Sequence, residues 1–408
     1  MGYTVEHTCP QCGAPVELDE ADRLLKCPYC DVTSYLCARD YVHLVLPPRA
    51  GTEDILYVPY LRFKGSVFQC KDTAVNHRIV DITRLGIVYP ELPASLGVRP
   101  QAVKMKFAGP TTTGDFLRCD LHVKDVLDTV DRHMSTYVAP GFFHRAYIGE
   151  TVSRIYLPLA VKANTLYDVL ADRPIARLPD SGHGFAPFID QNPRWQITFL
   201  ATICPACGWN LQGERDSVVL TCNNCHKAWE AWDGKFTRRS FLTVRGNGRN
   251  TLYLPFWKIR ARSSGLDVRS YADFIRITNQ PKAVQDEWEK EDMWYWIPAF
   301  KIRPDLFLQL CRQMTVTRRD LDMVEELPED TLYPVTLPHS EALQGLKVTL
   351  ACSMIRRKMM FPHLPHTHFT VEESEMVYLP FADKGQEVFQ EHFYISLSKK
   401  TLEFARRL

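Results

Sequence analysis

The chain has 408 residues, 45% of them hydrophobic, and its 49 Lys and Arg balance 48 Asp and Glu to a net charge of +1. That length and apolar content suffice for two ordinary globular cores or one large one, and they argue against a disordered chain. The charge balance excludes a global attraction to nucleic acid or anionic lipid, so any such binding has to come from a local patch.

The opening "MGYTVEHTCPQCG" has no basic segment leading into an apolar one, and no run approaches the roughly 18–20 apolar residues of a membrane span. The expectation is a cytoplasmic protein without a transmembrane segment. Gly2 does not open a myristoylation motif, because Glu6 stands where that motif wants Ser or Thr. Thirteen cysteines, an odd number, point to reduced thiolates rather than a disulfide framework. Eight fall into four Cys-x-x-Cys pairs; Cys37, Cys70, Cys119, Cys311 and Cys352 are scattered and read as small buried hydrophobes.

Residues 1–40 contain the first two pairs, in "CPQCGAPVELDEADRLLKCPYC", with fourteen residues between them. Each pair forms a turn in which two sulfurs face one ion while local amides point at the thiolates. Gly13 relieves the backbone after the first turn, and the intervening residues return the second pair as a short hairpin. Cys9, Cys12, Cys27 and Cys30 thus make one four-thiolate set. Residues 201–235 repeat it at an offset of 195, with Cys204, Cys207, Cys222 and Cys225 and the same Cys-Pro-x-Cys-Gly opening.

The second set ends "CNNCH", the spacing that attaches a c-type haem. The first has no histidine after Cys30, so the cysteines belong to both copies and His226 to one, which favours thiolate-bound metal over haem. Four thiolates close a tetrahedron and leave no position for water, so such a metal is structural. The two segments resemble zinc ribbons of the kind found in transcription factor TFIIB and many bacterial proteins, over about 60 of the 408 residues. The resemblance implies two zinc ions per chain and says almost nothing about function. Iron in a rubredoxin-like site competes, although rubredoxin-like centres have a much longer gap between knuckles.

Residues 41–171 read as a β-rich module. Around Tyr57-Val58-Pro59-Tyr60, Leu61 and Phe63 alternate with Arg62 and Lys64 as in a strand, and Pro59, like Pro255 in the second module below, predicts an edge position or a bulge at the proline. "PASLGVRPQAVKMKF" (93–107) predicts a helical segment opened by Pro100, and Val123, Val126, Leu127, Val130 and Met134 predict a helix over 123–134. Residues 172–200, rich in Pro, Gly and Asp, read as a linker.

A second β-rich module, 236–408, repeats the landmarks in order: Tyr253-Leu254-Pro255-Phe256, the Pro298 to Pro304 segment, and 366–381, which matches 144–159 with His144 on His366, Glu150 on Glu372 and Tyr156 on Tyr378. Residues 320–339 read as an insertion in this copy. Gly246-Asn247-Gly248 predicts a hairpin loop joining 241–244 to the strand after Asn250, and "PKAVQDEWEKED" a short acidic exposed helix. The expected fold class is β-rich α+β, a tandem duplication of a zinc ribbon plus a larger β-rich module.

The chain carries no nucleotide-binding, metalloprotease or serine-hydrolase motif, and no catalytic residue is assigned. His363, His366 and His368 could share one strand face as a metal or proton-transfer site, yet His144 has no histidine neighbours, which favours solvated or core-bonded side chains. From Lys235 to Arg262 run eight cations and no Asp or Glu, interleaved with aromatics. Arg238, Arg239, Arg245, Arg249, Lys258, Arg260, Arg262 and Trp257 there suit phosphate contacts and base stacking, or else a solvated strand face over an aromatic core. Three functions stay open. The duplicated architecture points first to a non-enzymatic, zinc-stabilised binding or scaffold protein that holds a protein partner. The second is nucleic-acid binding through the basic hairpin 235–262 and the ribbons, and the third a redox or metal-dependent enzyme subunit. No small-molecule substrate is inferred.

Overall fold

The computed structural model describes residues 2–38, 41–49, 51–121, 141–178, 184–191, 193, 197–232, 234–246 and 250–406. The helix predicted over 123–134 and Arg249 lie outside the described residues. The chain forms two compact units: Met1–Lys64, Val80–Tyr137 and Thr151–Ala201 make the first, and Gly65–Ile79, Val138–Glu150 and Thr202–Leu408 the second. The architecture is β-rich α+β, with several sheets and with the longer helices in the second unit.

In the first unit, β1 (Thr4–Thr8) and β2 (Pro15–Asp19) form one ribbon hairpin, and β3 (Leu24–Lys26) with β4 (Thr33–Ala38) the other. β5 (Val42–Val45) precedes the long β6 (Ile55–Lys71) and β7 (Ala74–Leu85), of which the stretch Gly65–Ile79 belongs to the second unit. Then come β8 (Lys104–Phe107), β9 (Asp115–Phe116), the long β10 (Phe142–Lys162), whose residues to Glu150 belong to the second unit, β11 (Thr165–Asp168), β12 (Arg173–Arg177) and β13 (Ile197–Ala201). The core gathers Leu44, Val58, Tyr60, Met105, Leu117, Ile155 and Leu157. The segment read as a linker is partly structured: β12 pairs β11, and β13 pairs β4.

The predicted alternation at 61–64 holds, but its polar face is not solvated. Arg62 is 1% exposed and spans Glu20 and Asp81, its Nε donating to Asp81 Oδ1 at 2.8 Å. A buried guanidinium is tolerable only because these carboxylates neutralise it. At Pro100 the expected helix is a single 3-10 turn, Pro100–Ala102, followed at once by β8. Met105 there is fully buried in the sheet, and that burial outweighs local helical preference.

The second unit contains the second ribbon, β14 (Val219–Cys222), β15 (Lys227–Trp232) and β16 (Lys235–Arg239). Its main sheet contains β17 (Phe241–Val244), β18 (Thr251–Ser264), β19 (Trp294–Pro298), β20 (Met323–Val324), β21 (Thr331–Leu332) and β22 (His368–Asp383), joined at one end by β23 (Glu387–Gln390) and β24 (Ile395–Ser398). Helices Tyr271–Thr278, Pro304–Val316, His339–Ser353 and Lys399–Ala405 complete the unit. Pro304 occupies the first turn of its helix, as predicted.

Three expectations change here. The strand order is β19-β18-β22-β17-β20, so β22 lies between β17 and β18 and no hairpin joins them. β18 is therefore internal, and its bulge falls between Arg260 and Ala261 rather than at Pro255. The internal proline is accommodated because β19 ends at Pro298, opposite Phe256; beyond it, Pro255 uses only its carbonyl, accepting from Ala299 N–H at 3.0 Å. Pro59 does the same with Gly86 N–H at 2.7 Å. Finally, 281–292 holds only a 3-10 turn, Asp286–Glu289, with no buried residue.

The two units show the same local pairings. β5 runs parallel to β10 with Val45 opposite Tyr156, and β17 runs parallel to β22 with Thr243 opposite Tyr378. β9 is parallel to β6 with Phe116 opposite Tyr57, and β21 is parallel to β18 with Leu332 opposite Tyr253. β8 is antiparallel to β5, and β20 to β17. His144 and His366 differ: His144 lies within β10, while His366 ends the 3-10 turn that precedes β22.

Candidate metal centres

Each ribbon brings its four cysteines to one point through backbone turns. In the first, Gly13 N–H donates to Cys9 O at 2.9 Å and Cys9 N–H to Ala14 O at 2.7 Å; Asp31 N–H donates to Cys27 O at 2.9 Å. In the second, Gly208 N–H donates to Cys204 O at 2.9 Å and Cys204 N–H to Trp209 O at 2.7 Å. Gly13 and Gly208 both have φ of 74°, a conformation that disfavours any side chain. Hairpin registers agree as well: Leu24, Leu25 and Lys26 face Tyr35, Ser34 and Thr33, as Val219, Leu220 and Thr221 face Glu230, Trp229 and Ala228.

The sulfurs fit a tetrahedral ion. Cys9–Cys30 and Cys12–Cys27 Sγ distances are 3.8 and 3.7 Å, and Cys204–Cys225 and Cys207–Cys222 are 3.6 and 3.5 Å. A tetrahedron with bonds of about 2.3 Å to sulfur has edges of about 3.8 Å. A disulfide would need about 2.05 Å, and the eight thiols are free. Among the described residues these are the two groups of three or more His, Cys, Asp or Glu ligand atoms close enough to hold a metal. The chain therefore has two partly buried four-cysteine sites able to bind a metal ion, in two zinc-ribbon-like segments.

The electrostatics favour a divalent cation. The Cys12 amide lowers the Cys9 thiol to about 7, and the Asn224 side chain, helped by the Trp209 amide, lowers Cys207 to about 6. Once one thiolate has formed, further ionisation is opposed. Despite the Val32 amide, burial and the neighbouring thiols push Cys30 up to about 12; burial and the other three thiols do the same to Cys225. A bound cation removes that opposition. Asn224 is a contributor that sequence reading passed over; its only signal was an amide between two ligands.

His226 has φ of 48°, in the position that Asp31, with φ of 57°, takes in the first ribbon. Its place in "CNNCH" is thus the left-handed turn after the last ligand. His363 and His366 lie in the 3-10 turn Phe361–His366 and His368 starts β22, so the three do not share a strand face.

The seven described residues considered for nucleic-acid contact are not gathered on one hairpin. Arg238 and Arg239 lie on β16 of the ribbon, where Arg239 pairs with the largely buried Glu230. Arg245 is exposed after β17. Lys258 sits 4.1 Å above the Trp294 ring and pairs with Glu375 at 3.6 Å. Arg260 pairs with Asp292 at 2.7 Å and Glu373 at 2.9 Å, and Arg262 with Glu372 at 2.9 Å. Trp257 is 2% exposed, its Nε1–H donating to Leu337 O at 3.0 Å, so its ring has no face for a base. The acids of β22 that neutralise these cations come more than a hundred residues later in the chain.

Compared with protein-family models, curated proteins and solved structures, the chain matches none.

Proposed function

We propose that this chain is a zinc-stabilised, non-catalytic binding or scaffold protein of the cytoplasm, built by tandem duplication of a TFIIB-type ribbon plus a β-rich module, that holds a protein partner. The observation that carries the reading is the closed thiolate geometry, present twice: sulfur separations of 3.5–3.8 Å leave no coordination position for substrate or water. The fixed offset of 195 between matching hairpin registers, and the matching pairings around Tyr57 and Tyr253, support the duplication. Zinc rather than iron is supported by the short gap between the knuckles. The internal ion pairs of Lys258, Arg260 and Arg262, with the burial of Trp257, support a protein partner ahead of nucleic acid.

Affinity purification of the full chain from its native cell, with and without nuclease and followed by mass spectrometry, tests the reading. A discrete protein partner that survives nuclease is expected. Retention only through nucleic acid, together with salt-sensitive micromolar binding to DNA or RNA by the purified chain, would overturn it.

A further inference from the structure

In the first unit the ribbon continues into the module sheet, because β8 pairs in parallel with β1, Thr4 opposite Lys104 and Glu6 opposite Lys106. β20 pairs β17 as β8 pairs β5, yet β20 pairs with no strand of the second ribbon among the described residues. Between that ribbon and the segment 327–335, which carries β21, lies a cleft of about 490 Å³. This is within the roughly 300–1,000 Å³ typical of binding pockets. The bond from Val218 N–H to Val335 O, at 2.8 Å, fixes its walls against each other.

The lining is one-sided in charge. Glu214, Glu329 and Asp330 contribute carboxylates, and among the described residues no Lys or Arg lines the cleft. Arg406 pairs with Glu214 at 3.3 Å and with the neighbouring Asp216 at 2.7 Å, so one guanidinium is already seated beside the cleft. Glu329 and Asp330 are exposed and have no ion pair among the described residues.

A second, independent feature is Tyr378, which lines the cleft although it is only 2% exposed. Its ring meets Phe241 edge-on at 6.1 Å, and its hydroxyl has no hydrogen-bond partner among the described residues. Burial pushes its pKa up, so the hydroxyl stays neutral and its oxygen remains an acceptor. At the wall of the cleft, that oxygen can accept from a donor that the cleft admits.

We propose that this cleft receives an arginine or lysine side chain of a partner polypeptide, its N–H groups donating to the Tyr378 hydroxyl and its charge facing Glu329 and Asp330. The proposal deepens the protein-partner reading and rests on it. A guanidinium matches two carboxylates and a neutral acceptor better than a neutral side chain does, because it brings donors and positive charge together.

The test is calorimetric titration of the metal-loaded full chain with the blocked peptide acetyl-Gly-Arg-Gly-Arg-Gly-amide, its citrulline counterpart and spermidine. The arginine peptide should bind at least tenfold more tightly than either comparison ligand, and less tightly as salt rises. Glu329→Gln with Asp330→Asn should weaken it at least tenfold; Glu403→Gln, on the exposed face of Lys399–Ala405, should leave it unchanged. Tyr378→Phe should weaken it severalfold with an unaltered melting temperature. Should that variant fail to fold, the Glu329/Asp330 pair still decides. Equal binding of citrulline peptide, equal or tighter binding of spermidine, or an unchanged affinity in the Glu329/Asp330 variant would each overturn the proposal. A partner recovered from cells equally by wild type and by that variant would overturn the cleft while leaving the scaffold reading intact.

Discussion

Glu150 lies on the part of β10 that belongs to the second unit, and its backbone N–H donates to Glu341 Oε2 at 3.0 Å. Gly149 N–H donates to the same oxygen, so the Glu341 carboxylate is held against this stretch of β10 by two amides. Burial, and then the negative charge of Glu341, push the Glu150 carboxyl from an ordinary value near 4.5 up to about 7, with Lys301 opposing. A carboxyl that holds its proton more tightly when folded stabilises the fold below about pH 4.5 and loses that contribution as pH rises through about 7. At about 1.4 kcal/mol per pH unit of separation, the full effect is roughly 3 kcal/mol. Glu150→Gln removes the titration, so the variant should match the wild type near pH 4, exceed it by about 1 kcal/mol near pH 5 and become the more stable by up to roughly 3 kcal/mol near pH 8. Urea unfolding followed by tryptophan fluorescence suits the test, because seven of the eight tryptophans belong to the second unit. A stability difference that does not change between pH 5.5 and 8.5 would refute the reasoning.

Replacing one ligand of the second ribbon, Cys222→Ser, should halve the metal content by elemental analysis and unfold that ribbon, since structural zinc in small fingers is linked to roughly 10–16 kcal/mol of apparent binding free energy. His226→Asn should keep both metals and give no haem signal, because asparagine accepts the left-handed conformation that this turn requires. Trp257→Ala should destabilise the second unit by about 3–5 kcal/mol in the same urea assay, as expected for a buried tryptophan whose removal also strands the Leu337 carbonyl. If Trp257 instead stacked on bases, nucleic-acid affinity would fall with stability unchanged.

The parts of the structure that were legible in the sequence are those fixed by short-range geometry. A tetrahedral ion requires four sulfurs at set spacings, so Cys-x-x-Cys pairs and the glycine after the first pair located both centres, and the copy lacking a histidine decided the role of His226. The strands around Tyr57 and Tyr253 were legible from their alternation of period two. What escaped depends on residues far apart in the chain. That β22 inserts between β17 and β18 is decided more than a hundred residues after Gly246, and the neutralising acids Glu372, Glu373 and Glu375 arrive with it. Helix His339–Ser353 left little signal because it is buried on most sides, from Glu341 to Ser353, and so shows no polar stripe of helical period. Arg62 looked like a solvent-facing cation because Glu20 and Asp81, which bury it, are distant in sequence.

Zinc-edge X-ray absorption of the purified full chain, combined with elemental analysis, bears most directly on the two closed thiolate centres. Two zinc ions per chain, each with four sulfur neighbours at about 2.3 Å and no oxygen or nitrogen in the first coordination sphere, is the predicted result. A single metal per chain, iron with its visible thiolate band, or a coordination sphere containing a light atom would contradict it.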